Sequence, residues 1–335
     1  MEEKTFVIAE AGANHNRDFE QAMALIDVAK ESGASACKFQ LYTSDGLFAK
    51  QDRPINGISD IHSMFKQIET PREWVSELKS YSDEVGIEFM ATPFDESAVQ
   101  QLVDVGVNRI KIAGFESSDF RFVEMVASTK LPLIVSLGIG FPTHRLGEFL
   151  DICFKYNDDL TILHCNNAYP TPMSDIDLTQ IDSLIKAGRG AQVGLSDHTL
   201  STLTPALAVA KGATTIEKHF TLSNKLSGPD HSFALEPHQL KEMVSLIRQT
   251  ELTLIKHDTN YTNSEEVFKN GKRSVVAKCD IKAGDVITIN NITTKRPCYD
   301  DSIPAIDYSS ILGKVAMSDI SSDNIIKKSQ ISNYE

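Results

Sequence analysis

The chain up to about residue 250 alternates between short β-type segments and amphipathic helical segments, and this pattern constrains the fold more than any other feature. Eight apolar or β-branched runs predict strands at Phe6–Ala11, Ala34–Leu41, Ile87–Thr92, Arg109–Ala113, Leu133–Leu137, Leu160–Cys165, Ala191–Leu195 and Thr214–Lys218. Helical periodicity predicts helices at Asp18–Ser32, Pro71–Val85, Glu96–Val105, Phe120–Ser128, Thr143–Tyr156, Leu178–Lys186, Thr202–Lys211 and Pro237–Ile255. Such alternation gives parallel strands with crossover helices, and eight units form a (β/α)8 TIM barrel. We therefore predict an α/β fold of this type.

The composition changes at two places along the chain. A polar insertion, Tyr42–Thr70, follows the second predicted strand and is expected at the carboxyl-terminal face of the barrel. After residue 257 a polar stretch without helical periodicity predicts a linker. We predict a barrel domain over 1–257, a linker over 258–270 and a small β-rich domain over 271–335.

The net charge of −13 argues against nucleic acid or an anionic membrane as a partner, because both attract basic surfaces. The longest apolar run, from Leu131 to Phe141, is too short to span a bilayer, and the acidic N-terminus does not resemble a signal peptide. Five cysteines, odd in number and without CxxC spacing, indicate reduced thiols. We expect a cytoplasmic protein.

Polar and ionisable side chains end nearly every predicted strand. The carboxyl ends of the strands are where (β/α)8 barrels place their chemistry. These candidate site residues are Glu10, Lys38, Gln40, Thr92, Lys111, Ser136, Asn167, Ser196, His198, Glu217 and His219.

His198 and His219 stand at the ends of the seventh and eighth predicted strands. Neighbouring strands lie about 4.8 Å apart, so two imidazoles at matching heights can reach one metal ion. Two histidine ligands leave coordination positions open, as a catalytic metal requires. A single histidine is more often a capped or core residue, but this pair predicts metal ligation.

Lys38 and Lys111 lie on predicted buried strands, where a lysine without a partner is costly. A bound anion would be such a partner. The groups that would complete a phosphate and carboxylate cradle are Ser136, Asn167 and Ser196. Two alternatives remain open: an ion pair with Glu10 or Glu217 inside the barrel, and a Schiff base in a class I aldolase.

Three acidic residues are candidates for holding sugar hydroxyls or moving protons: Glu10, Glu116 and Asp230. A single carboxylate at such a position is more often structural. Their interpretation therefore depends on the motifs around them.

Nine segments spread over the chain closely resemble the sialic acid synthase family: IAEAGANHN (8–16), CKFQ (37–40), ATPFD (91–95), KIAGFE (111–116), LHCNNAYPTP (163–172), VGLSDHT (193–199), EKHF (217–220), GPDHSFALEP (228–237) and KRP (295–297). The resemblance implies condensation of phosphoenolpyruvate with an N-acetylated hexosamine to a nine-carbon 2-keto sugar acid, with release of phosphate. It also implies a metal-bearing barrel followed by an antifreeze-like (SAF) domain, and a domain-swapped homodimer.

The resemblance implies residue roles by motif. His198 and His219 match Mn²⁺ ligands, with Mg²⁺ or Co²⁺ as alternatives. The matches to phosphoenolpyruvate contacts are Lys38, Thr92, Lys111, Ser136, Asn167 and Ser196. The matches around the sugar are Glu10, Asn56, Tyr169 and Asp230. Glu116 matches an active-site glutamate, and Arg296 matches an arginine that the partner chain inserts to hold the N-acetyl group.

The chain departs from the sialic acid pattern at Gly114, where a serine is usual, at Leu137, where a threonine is usual, and at Cys298–Asp301, where a glycine-rich turn is usual. The IAGF and HSFALEP segments partly resemble the branches of the family that handle pseudaminic acid precursors, legionaminic acid precursors or spore-coat sugars. The motifs therefore leave the hexosamine open. The competing functions are a phosphoenolpyruvate aldol synthase for phosphosugars, a Schiff-base aldolase and a non-catalytic carbohydrate-binding protein.

Overall fold

The computed structural model describes residues 4–49, 60–256 and 261–334. Contacts between Cα atoms divide the chain into two compact units, Met1–Ile255 and Lys256–Glu335. Each unit has a buried apolar core of its own.

Eight parallel strands of the first unit form one sheet among the described residues. They are β1 (Phe6–Gly12), β2 (Ala36–Leu41), β3 (Glu88–Pro93), β4 (Ile110–Ile112), β5 (Leu133–Leu137), β6 (Leu160–Cys165), β7 (Gln192–Asp197) and β8 (Thr215–His219). The hydrogen-bonded order runs β3-β2-β1-β8-β7-β6-β5-β4, and the terminal strands β3 and β4 adjoin each other. This near-closed ring confirms the predicted barrel.

The helices of the first unit lie between the strands and after the last one. They are α1 (Phe19–Glu31), α2 (Ser44–Leu47), α3 (Ile61–Lys66), α4 (Trp74–Val85), α5 (Glu96–Asp104), α6 (Phe120–Ala127), α7 (Leu146–Phe154), α8 (Thr179–Ala187), α9 (Leu203–Ala210) and α10 (Pro237–Thr253). Local signals define several ends. Asp18, Asp95 and Asp119 each accept a hydrogen bond from an amide in the first turn of the helix that follows. Gly86, in the left-handed region at φ 76°, ends α4.

The insertion after β2 contains more regular structure than its composition predicted. The structure places α2 and α3 in it, each begun by a side-chain cap from Thr43 or Asp60. Residues 50–59 of this insertion lie outside the described part, and with them the candidate Asn56.

Side chains of the strands alternate between two environments. Residues that point outward pack against the helices in the main core, as Val7, Ala9 and Phe39 do. A smaller apolar cluster fills the lower interior of the barrel and consists of Ile8, Ala36, Met90, Ile134 and Leu163. Because the period of a strand is two, the next inward position is two residues further along each strand. Those positions carry the polar residues of the candidate site.

The second unit contains an antiparallel pair of strands, β9 (Ser274–Ala277) and β10 (Ile292–Lys295), with Ile292 opposite Ala277. Isolated bridges and 3-10 turns make up much of the rest. Its core includes Val275, Ile287 and Ile303. Among the described residues of both units, no helix is long and apolar enough to cross a membrane.

Candidate active site

A cavity at the carboxyl end of the barrel is lined by the polar inward positions of the strands and by the loops that follow them. Predicted site residues that line it are Glu10, Lys38, Gln40, Thr92, Lys111, Ser136, Asn167, Tyr169, Ser196, His198 and His219. The structure therefore brings together residues that come from all eight strands or the loops after them. Their roles stay predictions, because position alone does not test them.

Lys38 is held by carboxylates and a hydroxyl inside the barrel. Its Nζ lies 2.7 Å from Glu10 Oε2 and 3.6 Å from Glu217 Oε2. It also donates to Thr92 Oγ1 at 2.9 Å. Burial alone would lower the pKa of Lys38, but the two carboxylates outweigh burial and raise it. Lys38 is therefore a fixed positive charge.

Lys111 has weaker support. Its Nζ lies 3.5 Å from Glu217 Oε1 and donates to the Ile112 carbonyl oxygen at 3.1 Å. Burial lowers the pKa of this lysine, and one carboxylate at this distance does not reverse the effect. The ion-pair interpretation of the two lysines thus describes the structure, and both still line the cavity.

Glu217 is the carboxylate that the two lysines share. Against the opposing effect of burial, Lys111 and Lys38 lower the pKa of Glu217 to about 2. Its Oε1 also accepts a hydrogen bond from Ser196 Oγ at 3.0 Å. Ser136 Oγ is buried without a hydrogen-bond partner among the described residues. The part of the cavity around Lys38 and Lys111, called the lysine side, therefore has a hydroxyl donor available to a ligand.

His198 and His219 meet in the cavity with their ring centroids 5.5 Å apart and their planes at 55°. Nδ1 of His198 donates to the Asn166 carbonyl oxygen at 2.6 Å, which fixes the proton on Nδ1 and leaves the lone pair on Nε2. Nδ1 of His219 is buried and has no hydrogen-bond partner among the described residues. Burial lowers the pKa of both imidazoles, that of His219 strongly, so both are neutral at pH 7.

This pair fits a metal ion by geometry and by chemistry. Two imidazoles that bind one ion at about 2.1 Å from each nitrogen have their ring centres about 5 Å apart, close to the separation observed. Neutral imidazoles are the form that binds metals. The described residues contain no group of three or more His, Cys, Asp or Glu side chains arranged to hold an ion. Two ligands leave coordination positions open, as a catalytic metal requires and a closed four-ligand structural site does not allow.

Asn167 and Tyr169 extend from the loop after β6 over the cavity. Asn167 Oδ1 accepts a hydrogen bond from the Ile139 amide at 2.7 Å. The Tyr169 ring packs on His198 with the ring centroids 4.2 Å apart. Burial raises the pKa of the Tyr169 hydroxyl, so it stays protonated and can donate. These contacts give the two imidazoles an aromatic wall.

A second group of polar side chains surrounds Gly12, which adopts φ 55°. A Cβ atom at Gly12 would lie 3.2 Å from Asp230 Oδ2, 3.3 Å from Gln40 Nε2 and 3.5 Å from Glu10 Oε1. Asp230 Oδ2 also lies 3.9 Å from His219 Nδ1. Burial and the charge of Glu10 raise the pKa of Asp230 to about 7. Glycine therefore leaves room for a ligand between these groups and the imidazoles.

Glu116 begins a 3-10 turn, Glu116–Ser118, after β4. Burial raises its pKa to about 7, although nearby Lys111 acts in the opposite direction. Its Oε2 is buried without a hydrogen-bond partner among the described residues. A carboxylate of this kind can accept or release a proton near neutral pH.

Arg296 is far in the sequence from the residues that line the cavity. It belongs to the second unit, where its side chain is exposed. Its predicted role in holding an N-acetyl group therefore stays a prediction.

Four residues of the cavity wall were not predicted as site residues: Phe94, Ala113, Gly114 and Cys165. Glu217 was predicted both as a candidate site residue and as an ion-pair partner of the lysines. It lies two residues before His219 on the same strand, so strand periodicity places both on the same face. Cys165 follows the inward Leu163 by two residues, which is the same signal. Phe94 follows β3 and carries no comparable signal.

The fold and this cavity define a barrel enzyme whose strand ends combine a lysine pair with a pair of neutral histidines. The sequence pattern of the NeuB family matches residues 25–259, and that of the SAF domain matches residues 272–332. The chain belongs to the NeuB family.

Known relatives agree with this assignment. Pseudaminic acid synthase of Campylobacter jejuni is 36% identical over 341 residues, which cover 98% of this chain and 97% of that protein. The N,N'-diacetyllegionaminic acid synthase of C. jejuni is 34% identical over 340 residues, covering 97% and 99%. The crystal structure of N-acetylneuraminic acid synthetase from Leptospira borgpetersenii matches with a TM-score of 0.72 and 31% identity, over 79% of this chain and 90% of that one. The predictions of a sialic acid synthase-type family and of a synthase are confirmed.

Proposed function

We propose that this enzyme condenses phosphoenolpyruvate with an N-acetylated hexosamine, such as N-acetylmannosamine or a diacetamido-dideoxyhexose, to a nine-carbon 2-keto sugar acid and releases phosphate. The observation that carries this proposal is the single cavity in which two buried lysines face two neutral imidazoles. The lysines suit an anionic substrate, and the imidazoles suit a metal ion beside it. The names of the relatives support the class of product.

Phosphoenolpyruvate is proposed to bind on the lysine side. Lys38 and Lys111 supply positive charge, and the hydroxyl or amide donors around them are Thr92, Ser136, Asn167 and Ser196. Since Glu10 and Glu217 balance the lysines in the protein alone, the net charge of the pocket stays near zero until the substrate arrives. Positioning of the enol carbon against the aldehyde removes several kcal/mol from the barrier.

The sugar is proposed to bind between the imidazoles and the polar side chains around Gly12. Glu10 and Asp230 would accept hydrogen bonds from hydroxyl or amide groups, Gln40 would donate one through Nε2, and Tyr169 would cover the open-chain sugar. Asn56 is proposed to join them. A divalent ion held by His198 and His219, Mn²⁺ before Mg²⁺ or Co²⁺, would polarise the sugar aldehyde as a Lewis acid.

The proposed reaction forms one carbon–carbon bond and breaks one carbon–oxygen bond. C3 of phosphoenolpyruvate bonds to the aldehyde carbon, and the aldehyde oxygen takes a proton to become a hydroxyl group. Water adds at C2, and the C2–O bond to phosphate breaks to leave the 2-keto acid. Glu116 is proposed to orient this water and take its proton, because its pKa near 7 lets it act as a base at neutral pH.

A homodimer is part of the proposal. Arg296 of the partner's SAF domain is proposed to hold the N-acetyl group, as the motif match implies. An arginine guanidinium presents several N–H donors in a rigid plane, which suits an amide carbonyl oxygen.

A Schiff-base aldolase is the second candidate, because burial lowers the pKa of Lys111 towards that of a nucleophilic amine. It predicts trapping of a pyruvate adduct by borohydride. A synthase for phosphosugars would need a further cationic site. Among the described residues that line the cavity, the cationic side chains are Lys38 and Lys111, and both are paired. A carbohydrate-binding protein would not need a pair of metal-binding imidazoles.

The test is release of phosphate from phosphoenolpyruvate with a panel of N-acetylated hexosamines, with Mn²⁺ and with EDTA, and with mass spectrometry of the product. We expect turnover with at least one unphosphorylated sugar, its loss in EDTA and its loss in His219→Ala. His238→Ala is the matched control, because that histidine is 75% exposed on α10. Full activity of His219→Ala, or borohydride-trapped pyruvate on a lysine, would contradict the proposal.

A further inference from the structure

A charged pair that the proposed reaction does not use is buried behind the two imidazoles. Lys218 Nζ lies 2.7 Å from Asp197 Oδ2, and the two side chains are 1% and 0% exposed. The residues are register partners on β7 and β8. Because side chains alternate along a strand, both point away from the cavity, whereas the residues that follow them, His198 and His219, line it.

The pair also holds the backbone beyond His198. Lys218 Nζ donates to the Thr199 carbonyl oxygen, and Asp197 Oδ1 accepts the Thr199 amide hydrogen bond at 2.9 Å. The Thr199 hydroxyl lies 3.1 Å from Asp197 Oδ2 and 3.3 Å from Thr204 Oγ1 on α9. His198 therefore lies in the sequence between Asp197 and Thr199, which belong to one buried polar network.

His219 depends more on its backbone than His198 does. The ring of His198 is oriented by its hydrogen bond to Asn166. Nδ1 of His219 has no such partner among the residues described. Its ring packs against His198, Phe233 and Tyr169, at centroid distances of 5.5 Å, 5.3 Å and 6.0 Å. The position of the His219 ring therefore follows that of β8, one residue beyond Lys218.

Stability alone is a weak reason for such a pair, because an apolar pair of similar size usually stabilises a fold equally well. We propose that Asp197 and Lys218 are positioning residues that join the ends of β7 and β8 and so set the separation of His198 and His219. This inference rests on the proposed metal site. Groups that orient metal ligands from behind typically change metal affinity 10–100-fold when they are replaced.

The test measures Mn²⁺ affinity by the electron paramagnetic resonance signal of free Mn²⁺, together with circular dichroism and the KM for phosphoenolpyruvate. The main variant is Asp197→Leu/Lys218→Met, which removes both charges and leaves no unpaired ion in the interior. Asp197→Asn is the second variant, because asparagine can still accept the Thr199 amide hydrogen bond but no longer forms an ion pair with Lys218. The matched control is Arg109→Met, which breaks a 2.8 Å ion pair with Glu88 at the opposite end of the barrel.

We expect the folded double variant to bind Mn²⁺ about 10–100-fold more weakly than the wild type, with a smaller change in KM. Asp197→Asn should shift the affinity in the same direction, and Arg109→Met should bind Mn²⁺ as the wild type does. Affinity within twofold of the wild type in both Asp197 variants would overturn the positioning role alone. Equal Mn²⁺ binding by the wild type and His219→Ala would overturn the metal site itself, and the positioning role with it.

Discussion

Glu217 is the carboxylate that both lysines of the cavity share. Oε1 of Glu217 lies 3.5 Å from Lys111 Nζ, and Oε2 lies 3.6 Å from Lys38 Nζ. The Ser196 hydroxyl donates a hydrogen bond to Oε1. Without this carboxylate, Lys111 would lie buried without a counter-charge. With this carboxylate present, both lysines have a counter-charge in the cavity before any ligand binds.

Glu116 yields a prediction about pH. Burial and the charge of Asp119 raise its pKa, Lys111 opposes them, and the outcome is a value of about 7. If Glu116 acts as a base, it is inactive when protonated below this value and active when ionised above it. We expect kcat to rise as the pH increases through about 7. Glu116→Gln should remove this dependence and lower kcat by roughly 10²–10⁴-fold. The measurement is the pH profile of phosphate release.

Asp119→Asn is the control for this prediction. Asparagine keeps the hydrogen-bond acceptor at the start of α6 but removes the negative charge near Glu116. The midpoint of the profile should move to lower pH while the maximal rate stays unchanged. A wild-type profile that is flat between pH 6 and pH 8 would contradict the assignment of Glu116 as the base.

At the scale of elements, the loops after β4, β5 and β6 meet around one carboxamide. Asn167 lies between Gly114 and Gly138: a Cβ atom would lie 3.0 Å from Asn167 Oδ1 at Gly114 and 2.1 Å from it at Gly138. The three loops can therefore approach each other only because two of them have no side chain there. Gly114, where the sialic acid pattern usually has a serine, is one of the two glycines in this contact.

Gly138→Ala tests this contact. The added methyl group must displace the Asn167 carboxamide, and with it the hydrogen bond to the Ile139 amide. We expect the KM for phosphoenolpyruvate to rise by about tenfold, as the loss of a charge-assisted hydrogen bond of 1.5 kcal/mol or more would give. Steady-state kinetics at saturating sugar would measure it. Gly147→Ala is the control, since a Cβ atom there has nothing within 4 Å, and an unchanged KM in Gly138→Ala would refute the prediction.

The barrel elements were predictable because buried parallel strands and crossover helices leave a strong periodic pattern. The ends of the observed elements differ from the predicted ends by a few residues. For example, β7 continues to Asp197, because this residue still pairs with Lys218 on β8. Strand ends also indicated most of the cavity wall, since inward positions recur every second residue. The sharing of Glu217 by two lysines and the lack of a partner for His219 Nδ1 were not predictable, because they depend on side-chain distances across the barrel.

At the scale of the whole molecule, the chain divides into units with separate cores, and residues of the proposed chemistry occur in both. The cavity residues belong to the first unit, whereas Arg296 is an exposed residue of the second. The proposed dimer requires that each sugar site combine the barrel of one chain with Arg296 of the other. This requirement can be tested without a structure of the dimer.

The test combines two defective chains in one dimer. Arg296→Ala should raise the KM for the sugar and leave that for phosphoenolpyruvate unchanged, and His219→Ala should abolish turnover. In a heterodimer of these variants, obtained by co-expression and purification through two different tags, exchange of the SAF domains places both defects in one site and leaves the other site intact. We expect such heterodimers to show about half of the wild-type rate at limiting sugar, with a wild-type KM. If Arg296 instead serves its own barrel, each site carries one defect and the wild-type KM does not return.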